Sequence, residues 1–177
     1  MCDDPSLGNR LITDAPDDSG KMLLAILATP PETSGVRTLK RLDLARELLG
    51  FDRVRIVNVL DVATFRTGGM AAAGLDPEPW IQSRPAIMDG LKSAHGIVLG
   101  YGVGEPSGPA RVHFRNQIAW LWDELGEMRT PIWSVELPPR HPSRWHRLTH
   151  KAAPGLAFGE VLGTVLLRVD DFAEVEK

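Results

Sequence analysis

Cysteine is almost missing from this chain of 177 residues, with Cys2 its single example. An intramolecular disulfide and a cysteine-rich zinc site are thereby excluded. No apolar run approaches the roughly 18 residues that would cross a bilayer. The first residues carry Asp3, Asp4, Asp14, Asp17 and Asp18 and lack an apolar core, unlike a secretory signal. The expected location is the cytoplasm. Positive charge is not in excess either, since the formal net charge is −3. That balance argues against a protein that coats nucleic acid without selectivity. No Walker motif, G-x-S-x-G elbow or Cys–His pair is found.

Acid is also missing locally. No Asp or Glu occurs from Leu137 to Phe158, whereas Arg140, Arg144, Arg147, Lys151, His141, His146 and His150 all lie there. A plain reading is a basic surface loop. A functional reading is an anion site for a phosphate, a nucleotide or a short piece of nucleic acid.

The hydrophobic fraction of 43% and charged fraction of 24% are ordinary for a globular protein. Residues 1–20 are polar and acidic, so disorder is expected there. Residues 21–177 suit a single α/β domain. Met22 to Ala28 is a continuous apolar run, as for a strand buried on both faces of a parallel sheet. Leu39, Leu42, Ala45 and Leu49 then recur at helical spacing up to Gly50. Val54 to Leu60 reads as a second strand, His95 to Gly100 as a third and Pro131 to Leu137 as a fourth. Helices are expected over Ile81 to Ser93 and about Ala110 to Leu125. Thr67 to Pro79, rich in glycine and proline, reads as a long connection. Gly155 to Asp170 fits either a helix or an edge strand.

Alternating strands and helices imply right-handed crossovers, and so a three-layer α/β domain. Its sheet would have four mostly parallel strands, with helices on both faces. Ligands of such sheets bind at the carboxyl ends of the strands. Those ends supply Thr29, Glu32 and Ser34; Asn58 and Asp61; Gly100, Tyr101 and Gly102; and Arg140, His141 and Ser143. The segment from Pro138 to Arg147 is stiffened by proline and reads as a loop.

Asn58 is a polar amide inside an apolar strand. It either ties neighbouring loops together or reads the edge of a planar ligand. His141 has a rigid backbone and suits a general acid or an anion binder. A metal site on His141, His146 and His150 is disfavoured, because a carboxylate and a shared helix face are lacking. No cofactor is expected. Gly100, Gly102 and Gly104 give G-x-G-x-G, which lacks the spacing of a dinucleotide fingerprint. Trp80 and Trp145 suggest base stacking or an interaction surface, and Trp120, Trp122 and Trp133 suggest core packing.

Ile26 to Pro31, Ala45 to Gly50, Ile56 to Leu60, Val98 to Gly102 and Arg140 to Ser143 follow one another in an order that resembles a bacterial domain family of unknown function. Its members carry N-P-S, V-V-N-L, W-G and late H-P segments. That layout is in turn similar to the uracil-DNA glycosylase superfamily, and the resemblance spans about residues 22–147. It implies a glycosylase-like fold and action on a nucleobase N-glycosidic bond, in a nucleotide or nucleic acid. Asn58 would bond the base, and His141 would stabilise charge on the base oxygen as the bond breaks. Ser143 would lie at a phosphate, with Pro30, Tyr101, Gly102, Arg140 and Arg144 contributing to the ligand site.

Thr29 falls where those enzymes place the Asp or Asn that positions the attacking water. A threonine cannot serve as a carboxylate base, and Glu32 is the nearest replacement. Arg144 replaces the second proline of the H-P-S-P turn, and Tyr101 replaces the tryptophan of W-G. The alternative is a non-catalytic module of the same fold that binds a nucleotide or nucleic acid. A deoxyribosyltransferase-like reading lacks a carboxylate nucleophile.

Overall fold

The computed structural model describes residues 11–13, 20–64, 67–102 and 104–170. Strand β2 (Met22–Leu27) is buried at every position and forms the centre of the sheet. It pairs in parallel with β3 (Arg53–Asn58) on one side and β4 (Gly96–Gly100) on the other. Strand β5 (Ile132–Val135) adds in parallel to β4. Short strands close both edges antiparallel: β1 (Leu11–Thr13) on β3 and β6 (Leu166–Arg168) on β5.

The sheet therefore has six strands, ordered β1-β3-β2-β4-β5-β6, and not the four expected. The four parallel strands are the ones the apolar runs disclose. Three-residue edge strands are too short to leave a periodic signal. One of them, Leu11–Thr13, lies inside the stretch read as a disordered tail; the rest of residues 1–19 falls outside the described residues. Gly155 to Asp170 proves to be both of its alternatives, helix α6 (Phe158–Val165) running straight into β6.

Helices cover both faces. Alternate side chains of each strand point to opposite sides, so two separate cores form. On one face Leu24, Ile26, Val57, Ile97 and Leu99 pack beneath α2 (Thr67–Ala73), α3 (Glu78–Ser93) and α4 (Ala110–Gly126). On the other, Leu23, Ala25, Leu27, Val54 and Val98 meet α1 (Val36–Leu48), α5 (Trp145–Ala152) and α6.

Two segments depart from the sequence expectation. Thr67 to Pro79 is not an irregular connection but holds α2 and the start of α3. Met70, 1% exposed, anchors α2 in the core, so burial overrides the poor helix propensity of Gly68 and Gly69. Pro138 to Arg147 is only partly a loop, since Pro142–Arg144 forms a 3₁₀ turn and Trp145 begins α5. A proline is compatible with the first turn of a helix, where its missing N–H has no intrahelical partner to lose.

The tryptophans also sort differently from expectation. Trp145 is fully buried and Trp80 is 2% exposed, so both are core residues and unavailable for base stacking. Trp80 lies against Gly74, whose carbonyl accepts its Nε1–H at 3.0 Å. A Cβ at Gly74 would come within 2.5 Å of the Trp80 ring, which explains the glycine there. Among the described residues no helix is long and apolar enough to cross a membrane.

Candidate functional site

Counted along the chain, the four parallel strands take the spatial order second, first, third, fourth. The connections leave β2 and β4 in opposite directions, so a crevice opens above their carboxyl ends. The turn after β5 packs over Gly100 at the carboxyl end of β4, and its conformation is held from several directions. Glu136 adopts a left-handed backbone with φ 63°, uncommon for a residue other than glycine. Its carbonyl accepts the Ser134 hydroxyl at 2.7 Å, and its carboxylate pairs with Arg140 Nε at 2.7 Å. The buried Trp145 ring donates from Nε1 to the Arg140 carbonyl at 2.8 Å. From α1, Arg41 donates to the Pro142 carbonyl at 2.7 Å.

His141 sits at the centre of this turn. Its Nδ1 accepts the Ser143 backbone N–H at 3.2 Å and lies 2.9 Å from the Ser143 hydroxyl. A backbone N–H can only donate, so Nδ1 carries no proton and the ring presents Nε2–H as a donor. Burial of the ring, with Arg144 and Arg41 adding repulsion, lowers its pKa to about 4. His141 is therefore neutral at pH 7.

A cleft of about 490 Å³ opens beside it, within the usual range of ligand sites. Gly102, Gly104, Arg140, His141, Arg144, Arg147 and Leu148 line it. Gly102, with φ 88°, brings its backbone close enough that a Cβ would stand 3.7 Å from that of His141. Among the described residues neither Arg144 nor Arg147 has an ion-pair partner, and no carboxylate lines the cleft. Two uncompensated guanidinium groups, a neutral N–H donor and close-lying glycine backbone make a receptor for an anion.

Of the residues singled out in the sequence, Gly102, Arg140, His141 and Arg144 thus come together. The others lie elsewhere. Asn58 stands level with Leu27 and Gly100 in the strand register, on the face that carries α1 and α5. The His141–Pro142 turn packs over Gly100, where a Cβ would lie 3.0 Å from Pro142 Cδ. Asn58 is thus two strand spacings away, roughly 10 Å, and is 4% exposed. Thr29 directs its hydroxyl to that of Thr64 at 2.7 Å, and the buried Pro30 accepts the Thr64 N–H through its carbonyl at 3.0 Å. Glu32 is exposed and does not line the cleft. Tyr101 packs into the opposite core, and its hydroxyl accepts Trp122 Nε1–H at 3.1 Å. Burial raises the pKa of that phenol. Ser143 is exposed and acts on His141, not on the cleft directly.

Arg41 was not a sequence candidate. It lies in an amphipathic helix among other basic residues and carries no local sign of its reach to Pro142. Its guanidinium also covers the Phe158 ring at 5.4 Å, and burial followed by repulsion from Arg37 lowers its pKa. Arg147 belongs to the acid-free basic stretch, and its α-helical position three residues beyond Arg144 puts both on one side of the turn.

Among the described residues no group of three or more His, Cys, Asp or Glu is placed to hold a metal ion. His146 and His150 instead stack with ring centroids 6.3 Å apart, and His146 stacks on Phe158. Comparison with protein-family models, with curated proteins and with solved structures gives no match. Fold and site together define an α/β protein with a mostly parallel sheet and a basic cleft at the carboxyl ends of its strands.

Proposed function

We propose that the cleft binds the phosphate of a nucleotide or of a nucleic-acid end, on a uracil-DNA-glycosylase-like framework acting as a binding module. The observation that carries this reading is the convergence of Arg144, Arg147 and the neutral His141 ring on one cleft that no carboxylate lines among the described residues. The strand order and the Arg140–Ser143 turn after the last parallel strand support the framework. Fluorescence anisotropy with short labelled oligonucleotides, and calorimetry with nucleoside monophosphates, test it. Binding should weaken as salt rises, and the double variant R144S/R147S should lose roughly tenfold or more in affinity. Equal affinity of wild type and that variant, or no binding by wild type, refutes the reading.

A second reading is cleavage of a nucleobase N-glycosidic bond. It is favoured by the neutral His141, whose Nε2–H would face negative charge developing on a base oxygen. Against it, Thr29 is engaged by Thr64 and Asn58 is closed off. Chromatography of free bases released from uracil-containing DNA and from nucleotides decides the matter. Release by wild type that is lost in His141→Ala would favour catalysis over binding alone.

A further inference from the structure

We propose that the opposite end of the sheet carries a second binding site, for a small organic anion with a flat apolar body such as an aryl carboxylate. A pocket of about 450 Å³ lies there, and its walls include Lys21, Leu49, Phe51, Ala94, His95 and Arg129. Four separate segments supply them. Lys21 precedes β2, Leu49 and Phe51 join α1 to β3, Ala94 and His95 join α3 to β4, and Arg129 joins α4 to β5.

The apolar side is rigid. Phe51, 8% exposed, packs edge-on against Trp133 with ring centroids 5.8 Å apart. Both rings press on Gly96, where any Cβ would collide with them. Leu49 and Ala94 extend this surface.

The rim is cationic. Lys21 and Arg129 are exposed, and neither has an ion-pair partner among the described residues. His95 Nδ1 accepts the Met22 N–H at 3.2 Å, which leaves Nε2 as the donor. The nearby carboxylate of Asp52 does not line the pocket; its Oδ2 accepts the Lys21 backbone N–H at 2.6 Å. Two cations and a donor above an aromatic-backed surface match an anion that also buries apolar area. Lys21 and the carboxyl end of β2 are six residues apart, roughly 20 Å at strand rise, so this site is separate from the His141 cleft and does not depend on its function.

The test is a titration of the uniformly ¹⁵N-labelled full chain, with benzoate as the probe and inorganic phosphate as the anion lacking an apolar body. Benzoate should shift the amides of Gly50, Phe51, His95 and Thr130 saturably, and phosphate should act on those same amides roughly tenfold or more weakly. K21S/R129S removes the cations, and Ala94→Phe fills the pocket while keeping them. Both should abolish saturation at these amides with the far-UV circular dichroism unchanged, whereas R144S/R147S should leave the benzoate shifts of these four amides as in wild type. The proposal fails if wild type shows no saturable shift, if phosphate matches benzoate, or if folded K21S/R129S responds like wild type.

Discussion

Acidification should weaken this fold through one ring, that of His141. Its burial, with the nearby Arg144 and Arg41 adding to the effect, brings its pKa from 6.5 to about 4. Above pH 6.5 the ring is neutral in both the folded and the unfolded chain, and no penalty arises. As the pH falls, the unfolded chain takes up its proton first while the folded ring resists. The penalty therefore grows from about pH 6.5 to about pH 4 and is constant below. The full difference converts to about 3 kcal/mol. The ring keeps part of its surface in water, so a realistic loss is about 1–3 kcal/mol. For a chain of this size that corresponds to a fall in Tm of roughly 2–10 °C. Carboxylates titrate in the lower part of the same window, so the informative quantity is a difference between two proteins. His141→Asn preserves a side-chain acceptor for the Ser143 N–H but has no titrating ring. Thermal melts from roughly pH 7.5 to pH 4 should show wild type losing more stability than the variant by the stated amount. A histidine proton NMR titration should place the His141 midpoint near 4. A midpoint near 6.5, or parallel melting profiles, would refute the account of a crowded neutral ring.

Other outcomes follow from the packing around the site. Gly100→Val puts a Cβ 3.0 Å from both Leu27 Cδ2 and Pro142 Cδ, so the His141 turn must shift. The expected cost is about 1–3 kcal/mol by chemical denaturation, together with changed amide shifts for His141 and Ser143; an unperturbed turn would show that Gly100 is not needed for its seating. Gln117 is fully buried and donates toward the carbonyls of Val59 and Trp80 and to Ser83 Oγ, at 3.0–3.1 Å, while accepting from Arg84 at 2.9 Å. Gln117→Leu should cost about 1–3 kcal/mol, read as a lower denaturant midpoint. An unchanged midpoint would show that the amide does not secure the loop after Asn58.

Much of the architecture can be read from local pattern. The apolar runs beginning at Met22, Val54 and Gly96 mark buried parallel strands, because strands covered on both faces cannot alternate with polar residues. The helical spacing of Leu39, Leu42 and Ala45 marks α1. The edge strands could not be read, being three residues each and held by partners distant in sequence. The helix at Thr67–Ala73 was hidden for a related reason: its glycines argue against it, and the burial of Met70 that outweighs them is a tertiary fact.

The site divides along the same line. The acid-free stretch around Arg140, His141, Arg144 and Arg147 was already distinctive as residues, since opposite charge is absent from it and proline restricts its backbone. Sequence order alone suggested that Thr29, Asn58, Tyr101 and His141 share one crevice, because each lies at or past the carboxyl end of a strand. Which way a side chain points after a strand is set by register and by what packs against it. Those forces turned Tyr101 into a core, tied Thr29 to Thr64, and sealed Asn58 two strands from the histidine turn. The ring state of His141 was likewise invisible in the sequence, for it depends on a bond from Ser143 and on the distant Arg41 of another helix. Composition and periodicity thus determined an α/β chain with a stiff basic turn. The tertiary structure alone decided that this turn forms a neutral-histidine, arginine-lined cleft, because solvent exclusion and the meeting of remote charges exist only once the chain has packed.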